Sequence, residues 1–420
     1  MNDDTNFAAY VGIDWADKEH AVALATPDGR VEPSTVAQTP TAIDEWACRL
    51  RDRFGGRPIA VCLEQSRGAL VYALIKYPWL ILFPINPKQL ARYREAVAPS
   101  GAKDDPGDAQ LLCDFVRLHR GRLRAWRAED VTTRSIRELV EARRKFVALR
   151  TSLGNQLRQT LKECFPQALE LAGAQMHAQG FLKLLARCPS FKDLQRASAR
   201  TLATLLPRRR KASADDAPRT DPRLEIRRSP PLVTDPALLL ASKLAVQTLV
   251  AQLMPLNRAI AQYDRELAAL MAQHPDAELF EAFPGAGTVL APRLLAAFGR
   301  DRQRYATADE MQQASGIAPV KVQSGKSCKI HRRRGCSKFL RQTFHEFADH
   351  SRKASTWASA YYHMLRAKGH RHHAAVRSLA FKWIRVLFRC WQTRTSYDET
   401  LYLARLRHKK STLLAYIPNN

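Results

Sequence analysis

The stretch AAYVGIDWADKEHAVALAT, residues 8–26, holds two short apolar runs, AAYVGID and HAVALAT, bounded by polar residues, with a turn at Pro27-Asp28-Gly29 after the second. Short apolar runs between turn residues read as β-strands. PIAVCLE (58–64) and LILFPINP (80–87) repeat the pattern, and a helix-like segment near 68–77 lies between them. Three adjacent strands, a helix and a further strand are the start of an α/β domain, expected to close with helices near 107–120 and 132–150.

Outward from this domain the pattern turns helical. Ile136, Leu139, Phe146, Leu149, Leu153, Leu157, Leu161 and Cys164 recur at spacings of three, four or seven, which is one helix stripe. Val246, Leu249, Leu253, Leu256, Ile260, Tyr263, Leu267 and Leu270 alternate steps of three and four, a coiled-coil seam that Pro255 should kink. The two long helices suit either an intramolecular hairpin or a dimerisation arm. Between them PRRRKASADDAPRTDPRLEIRRSPP (207–231), rich in proline and charge, reads as a linker or insertion. From Leu279 onward the chain is helical and basic, with aromatics toward its end. The expected architecture is therefore α/β plus all-α: an α/β domain at 1–150, a helical, coiled-coil region at 151–275 and a mainly helical domain at 276–420.

The 420 residues, 45% hydrophobic and 25% charged, suit a folded chain of two or three domains. The anomaly is 67 Lys and Arg against 40 Asp and Glu, a net charge of +27 that points to a polyanion as partner. No apolar run approaches the roughly 20 residues that span a bilayer, so no membrane partner is expected. The opening MNDDTNFAAY has no signal-peptide character, and eight scattered cysteines form no CxxC pair, which fits a reducing cytoplasm and a nucleoid-associated protein.

Against the basic background stands a set of acids. Asp14 ends the first strand and Glu64 ends PIAVCLE, so both side chains can leave the sheet together. Asp105 and Asp108, in AKDDPGDAQLL, lie three apart at a helix start and share a face. Converging carboxylates are what Mg²⁺ or Mn²⁺ takes, and four could hold two ions about 4 Å apart for phosphodiester chemistry. Each has a plainer reading: Asp105 before Pro106 suits an N-cap, Asp108 suits the helix dipole, and strand-end acids are common turn residues. Asp104 and Asp17 are spare candidates. His20 reads as an exposed strand residue rather than a ligand.

These residues resemble the DEDD transposases of insertion-sequence family one-ten, whose N-terminal domain is similar to the RNase H-like Holliday-junction resolvase RuvC. The matching elements are GIDWADKEHAVAL with Asp14, LEQSRG with Glu64, and KDDPGDAQLL with Lys103, Asp105, Asp108 and Ala109, a spacing that favours Asp105 over Asp104. A second match is FPGAGTVLAPRLLAAFG (283–299) followed by ASGIAPVKVQSGKSCKIHRRRGCSKFLRQTFHEFA (314–348), similar to the family's C-terminal domain. The resemblance implies a serine nucleophile toward DNA at Ser324. The family's Ser-Gly-Gly reads Ser324-Gly325-Lys326-Ser327 here, which leaves Ser327 and Ser315 open. It further implies donor and target DNA as partners, a structured guide (bridge) RNA that pairs with both, and a homodimer or homotetramer.

Physically, a serine hydroxyl needs a base or metal to activate it and cations around the phosphoryl group. Lys321, Lys326, Lys329, His331, Arg332, Arg333 and Arg334 supply cations, and the DEDD metals could activate the serine if the two domains meet. Lys338 and Arg341 extend the basic run along the next helix. Pro284-Gly285-Ala286-Gly287 reads as a helix-hairpin-helix turn offering backbone N–H groups to a phosphate, or as an ordinary glycine turn. His370, His372 and His373 lack spaced carboxylate or Cys partners and read as part of a basic helix rather than a zinc site. The expected function is RNA-guided cutting and rejoining of DNA. The alternatives are a RuvC-like nuclease using water and a non-catalytic nucleic-acid-binding protein.

Overall fold

The computed structural model describes residues 6–64, 68–97, 104–172, 175–205, 226–325 and 327–417. The chain divides into two compact units, 1–128 and 129–420. The first is α/β and the second mostly helical.

In the first unit β1 (Ala9–Asp14), β2 (Glu19–Ala25), β3 (Val31–Ala37), β4 (Ile59–Leu63) and β5 (Leu80–Pro84) form one sheet in the order β3-β2-β1-β4-β5. β1 pairs antiparallel with β2, and β2 with β3; β1 with β4 and β4 with β5 are parallel. β4 is buried at every residue, the signature of a strand covered on both faces. One face carries α1 (Pro40–Phe54) and α2 (Ala69–Leu74), whose Ile43, Trp46, Leu50, Leu70 and Leu74 pack on Val11, Ile13, Val61 and Leu63. The opposite face carries α3 (Pro87–Val97) and α4 (Asp105–His119), with Leu90, Leu112 and Val116 against Ala60 and Cys62. The unit is a three-layer α/β sandwich.

The sequence reading missed β3, α1 and α3. β3 (VEPSTVA) buries only Val36 and carries Pro33, which an edge strand tolerates. α1 announces itself through signals that were there to read: Thr39 accepts from the Ala42 N–H at 3.2 Å, Pro40 opens the helix, and Gly55 ends it in the left-handed conformation.

The second unit is built on α5 (Val131–Cys164) and α10 (Pro236–Gln273), with α6 (Gln167–Ala172), α7 (Gln179–Arg187), α8 (Phe191–Arg196) and α9 (Ala199–Leu205) between them. Contacts of Thr133 with His274, Arg143 with Asp264 and Arg150 with Asn257 advance along α5 as they retreat along α10, so the two helices pair antiparallel within one chain. α5 passes unbroken through the border expected at 150, and α10 continues through Pro255. Leu149, placed on the apolar stripe, is exposed. An 18-residue window of α10 reaches a mean hydropathy of 1.5, so by length and composition alone the helix could cross a membrane, which the lack of an unbroken apolar run does not reveal. In this fold its Val246, Val250, Leu253 and Ile260 pack on Leu153, Leu157 and Leu161. Most of the 207–231 linker lies outside the described residues.

The far end of this helix pair joins the largest core, formed with α11 (Ala277–Glu281), α12 (Gly287–Phe298), α13 (Ala308–Ala314), α14 (Lys338–Ser351), α15 (Thr356–Ala367), α16 (His372–Thr393) and α17 (Glu399–His408). Trp357, Trp383 and Trp391 are fully buried there, and each indole N–H donates: to the Tyr397 hydroxyl, the Ser351 Oγ and the Gly299 carbonyl, at 2.7, 2.7 and 2.8 Å. A two-stranded antiparallel hairpin, β6 (Val320–Ser324) and β7 (Ser327–His331), interrupts the helices.

One contact in the first unit is testable by a single methyl group. A Cβ at Gly12 would fall 2.0 Å from the Ala109 carbonyl oxygen and 2.4 Å from the Cys113 nitrogen, both backbone atoms of α4. Gly12→Ala is therefore expected to destabilise the first unit by ~3 kcal/mol, the upper range of overpacking. Urea denaturation would show this as a lowered midpoint, and an unchanged midpoint would mean that α4 does not press on β1 at this point.

Candidate active site

The period of two along a strand assigns side chains to faces. Val11, Ile13, Val61 and Leu63 face α1 and α2, so Asp14 and Glu64 share the other face with Gly12 and Cys62, toward α4. Ile13 is registered with Leu63, so Asp14 and Glu64 follow side by side where two parallel strands end. Both are half-buried.

α4 runs along β1 with its first turn toward the same edge. Cys113 Sγ donates to the Tyr10 carbonyl at 3.3 Å, and Ala109 lies against Gly12. Moving from 113 to 109 on the helix thus follows β1 from 10 to 12, so helix and strand run antiparallel. Four further helical residues cover about 6 Å and two strand residues about 6.6 Å. That carries the register from Gly12 beside Ala109 to Asp14 beside Asp105.

The structure separates the roles within Asp104-Asp105-Pro106-Gly107-Asp108. Asp104, not Asp105, is the N-cap: its carboxylate accepts from the Gly107 N–H at 2.7 Å. Asp105 is left exposed in the first turn. Asp108 is buried and ion-paired with Arg94 of α3, whose Nε donates to Oδ1 at 2.8 Å and whose Nη2 donates to the same oxygen. Arg94 escaped the sequence reading because nothing in PKQLARYREAV distinguishes it from its neighbour Arg92.

His20, expected to be exposed, is buried. Its Nδ1 accepts from the Ala16 N–H at 3.1 Å and its Nε2 meets Gln38 Oε1 at 2.5 Å, which ties down the loop following Asp14. The same loop leaves Trp15 41% exposed beside the acid edge.

Oxygen-only donors on one edge have the chemistry of a hard divalent-cation site. Among the described residues, however, no group of three or more His, Cys, Asp or Glu stands close enough to hold a metal ion. Asp14 and Glu64 lie at the strand ends and Asp105 is exposed in the first turn of α4, whereas Asp108 already carries Arg94. Lys103 lies outside the described residues.

In the second unit Ser324 and Ser327 form the last registered pair of the β6–β7 hairpin, at its tip, and both are exposed. Lys321, Lys329 and His331 are exposed along its strands, and Arg332, Arg334 and Lys338 beyond it. Lys326 lies outside the described residues. Ser315 is fully buried and donates to the Gln312 carbonyl at 3.0 Å, so its hydroxyl does not face solvent. Arg341 is engaged internally: its Nη2 donates to the Arg333 carbonyl at 2.9 Å and meets the Cys336 Sγ. A Cβ on Gly285 would lie 2.9 to 3.0 Å from backbone of His350 and Ser351, so this glycine, at φ +79°, serves a close approach of α14, while Gly287 opens α12 exposed.

Comparison with known proteins places the chain. Residues 11–166 match a family described as "Transposase", the DEDD group of IS110, and residues 277–363 match one described as "Transposase IS116/IS110/IS902 family". A Streptomyces coelicolor mini-circle protein named as a transposase for IS117 is 30% identical over 409 residues, 94% of this chain and 96% of the relative. The 44.8 kDa protein of insertion element IS116 from Streptomyces clavuligerus is 29% identical over 385 residues, 90% and 93% of the two chains. The 43.6 kDa protein of insertion element IS110 from Streptomyces coelicolor is 25% identical over 409 residues, 96% and 98%. The molecule is a transposase of the insertion-sequence class. The chain belongs to the IS110 family.

The Arg94–Asp108 pair yields a stability prediction. Their side chains are 16% and 5% exposed, so Asp108→Ala strands a guanidinium in the fold. Losing one partner of such a pair costs ~3–5 kcal/mol, whereas replacing both by apolar residues costs far less. Urea denaturation of Asp108→Ala against the double variant Arg94→Met, Asp108→Leu should show the single change as the more damaging. Equal losses would mean the pair is not desolvated.

Proposed function

We propose that the chain cuts and rejoins DNA strands, with the acidic edge of the first unit and Ser324 of the second as its chemical groups. The observation that carries this is the gathering of Asp14, Glu64 and the first turn of α4 on one edge and one face of the sheet. The strand order and directions support reading the first unit as RNase H/RuvC-like.

Mg²⁺ or Mn²⁺ held by Asp14, Glu64 and Asp105 would polarise a phosphoryl oxygen and lower the barrier to its displacement. Asp108 joins that set only by exchanging Arg94, and with the pair intact it anchors α4 instead. The capped positive end of the α4 dipole offsets part of the repulsion among the carboxylates. His20 fixes the loop that follows Asp14 and so positions that side chain.

At the hairpin tip the Ser324 Oγ forms a new P–O bond as a phosphodiester P–O bond breaks; the hydroxyl proton passes to a base and the released DNA oxygen takes one up. The reverse step, with a different strand end, rejoins DNA. Lys321, Lys329 and Arg332 provide cations for the phosphates on either side. The resemblance adds a bridge RNA that selects donor and target by pairing, and a net charge of +27 suits two polyanions. Gly287, Arg334 and Lys338 belong to the same basic binding surface, and the assembly is a homodimer or homotetramer.

Denaturing gels of the protein with labelled donor and target DNA test the assignment. Ser324→Ala should remove the covalent protein–DNA species. Asp14→Asn or Glu64→Gln should slow strand cleavage about 10²-fold, the scale of one lost electrostatic group, with duplex affinity unchanged. Undiminished strand exchange by Ser324→Ala would overturn the serine role, and cleavage without an adduct would point to water as nucleophile. Full cleavage by both acid variants would remove these acids from the chemistry, and a parent chain that binds DNA without cutting it would be a binding protein.

A further inference from the structure

A cavity of ≈ 440 Å³ opens at the root of the β6–β7 hairpin. Tyr361 of α15, Arg377 and Phe381 of α16, and His331, Arg332 and Arg333 where β7 ends supply its walls. No carboxylate is among its described lining residues. Burial first, then the like charges of Arg332 and Arg341, hold Arg377 below the usual guanidinium range. The Nε atoms of Arg333 and Arg341 are buried with no hydrogen-bond partner among the described residues. Cations crowded together without counter-ions repel one another, and an anion among them relieves that repulsion. Lys382, outside the cavity lining, sits 4.1 Å from the Tyr361 ring centroid and enriches the aromatic wall in positive charge.

Aromatic rings set against guanidinium groups, with no acid nearby, select a ligand with a flat apolar body and an attached anion. A nucleotide has that composition, and the volume lies in the range of small-ligand pockets, roughly 300–1,000 Å³. A base inside a duplex cannot enter such a cavity without leaving its stack, whereas an unpaired base can.

We propose that this cavity seats one unpaired nucleotide, its base against Tyr361 and Phe381 and its phosphate among Arg332, Arg333 and Arg377. The inference rests on reading the chain as acting on nucleic acid. The nucleotide can belong to a single-stranded stretch of DNA or of RNA, since ring and phosphate are common to both. Val320 pairs with His331 at the hairpin root and Ser324 with Ser327 at its tip, four residues or about 13 Å away. A strand held in the cavity is thereby presented along the hairpin toward Ser324.

Fluorescence anisotropy on the full chain, with a labelled blunt DNA duplex, a single-stranded DNA and a single-stranded RNA, tests this. Tyr361→Ala, which removes the ring, and Ser378→Phe, which fills the cavity without touching a charge, should each weaken binding of at least one single strand about tenfold, the scale of one lost stack. Duplex affinity should stay within about twofold, and Tyr361→Phe should bind like the parent. Loss in the DNA arm, the RNA arm or both identifies the source of the nucleotide. Single-strand affinity unchanged in Ser378→Phe, with its melting temperature preserved, overturns the proposal, as does equal weakening of duplex and strands. A parent chain that binds duplex normally while the variants leave strand binding intact refutes the cavity alone; a parent chain that binds no nucleic acid refutes the underlying reading as well.

Discussion

The contact on which the first unit depends is the absence of a side chain at residue 12. α4 lies with its backbone directly on β1, the Ala109 carbonyl and the Cys113 nitrogen occupying the space a Cβ would need. That approach fixes helix and strand along each other as well as apart, because the Cys113 thiol engages the Tyr10 carbonyl one turn away. A helix standing a side chain's width farther off would keep the fold but would place Asp105 away from the strand end. The strand ends and the first turn of α4 share an edge because the backbones meet at Gly12.

Gathering carboxylates costs free energy unless cations or dipoles answer them. The chain provides two local answers. The positive end of the α4 dipole, capped by Asp104, faces the acid edge, and Arg94 neutralises the acid that is most deeply buried. Asp105 is exposed and Asp14 and Glu64 are half-buried, so burial separates Asp108, a structural acid, from the acids to which the proposed function assigns chemistry.

Much of this was legible in the chain, for definable reasons. Alternation and strand-end position place Asp14 and Glu64 correctly, since a period of two needs no tertiary knowledge. The heptad-like steps of 246–270 correctly announce a long helix, and the antiparallel partner is the helix whose stripe was read at 136–164. What escaped depends on partners far apart in sequence. β3 is polar because it is an edge, His20 is buried by a loop and by Gln38 eighteen residues away, and Arg94 is one arginine among many until α4 lies beside it. The choice between Asp104 and Asp105 as cap turned on one residue, and helix ends are the least determined feature of any periodic pattern.

The hairpin of the second unit poses the converse problem. Isolated two-stranded hairpins are marginal in water, and nearly every described residue of β6 and β7 is exposed, so this one gains little from burial along its length. Its order must come from the root, where Arg341 bonds the Arg333 carbonyl and Gly316 lies against Cys336 too closely for any side chain. Restraint therefore falls off from root to tip, and Ser324 sits where it is weakest. The serine role proposed above would be served by such a gradient: the root would set the direction of approach, and the tip would retain the freedom to follow the phosphorus through both displacements.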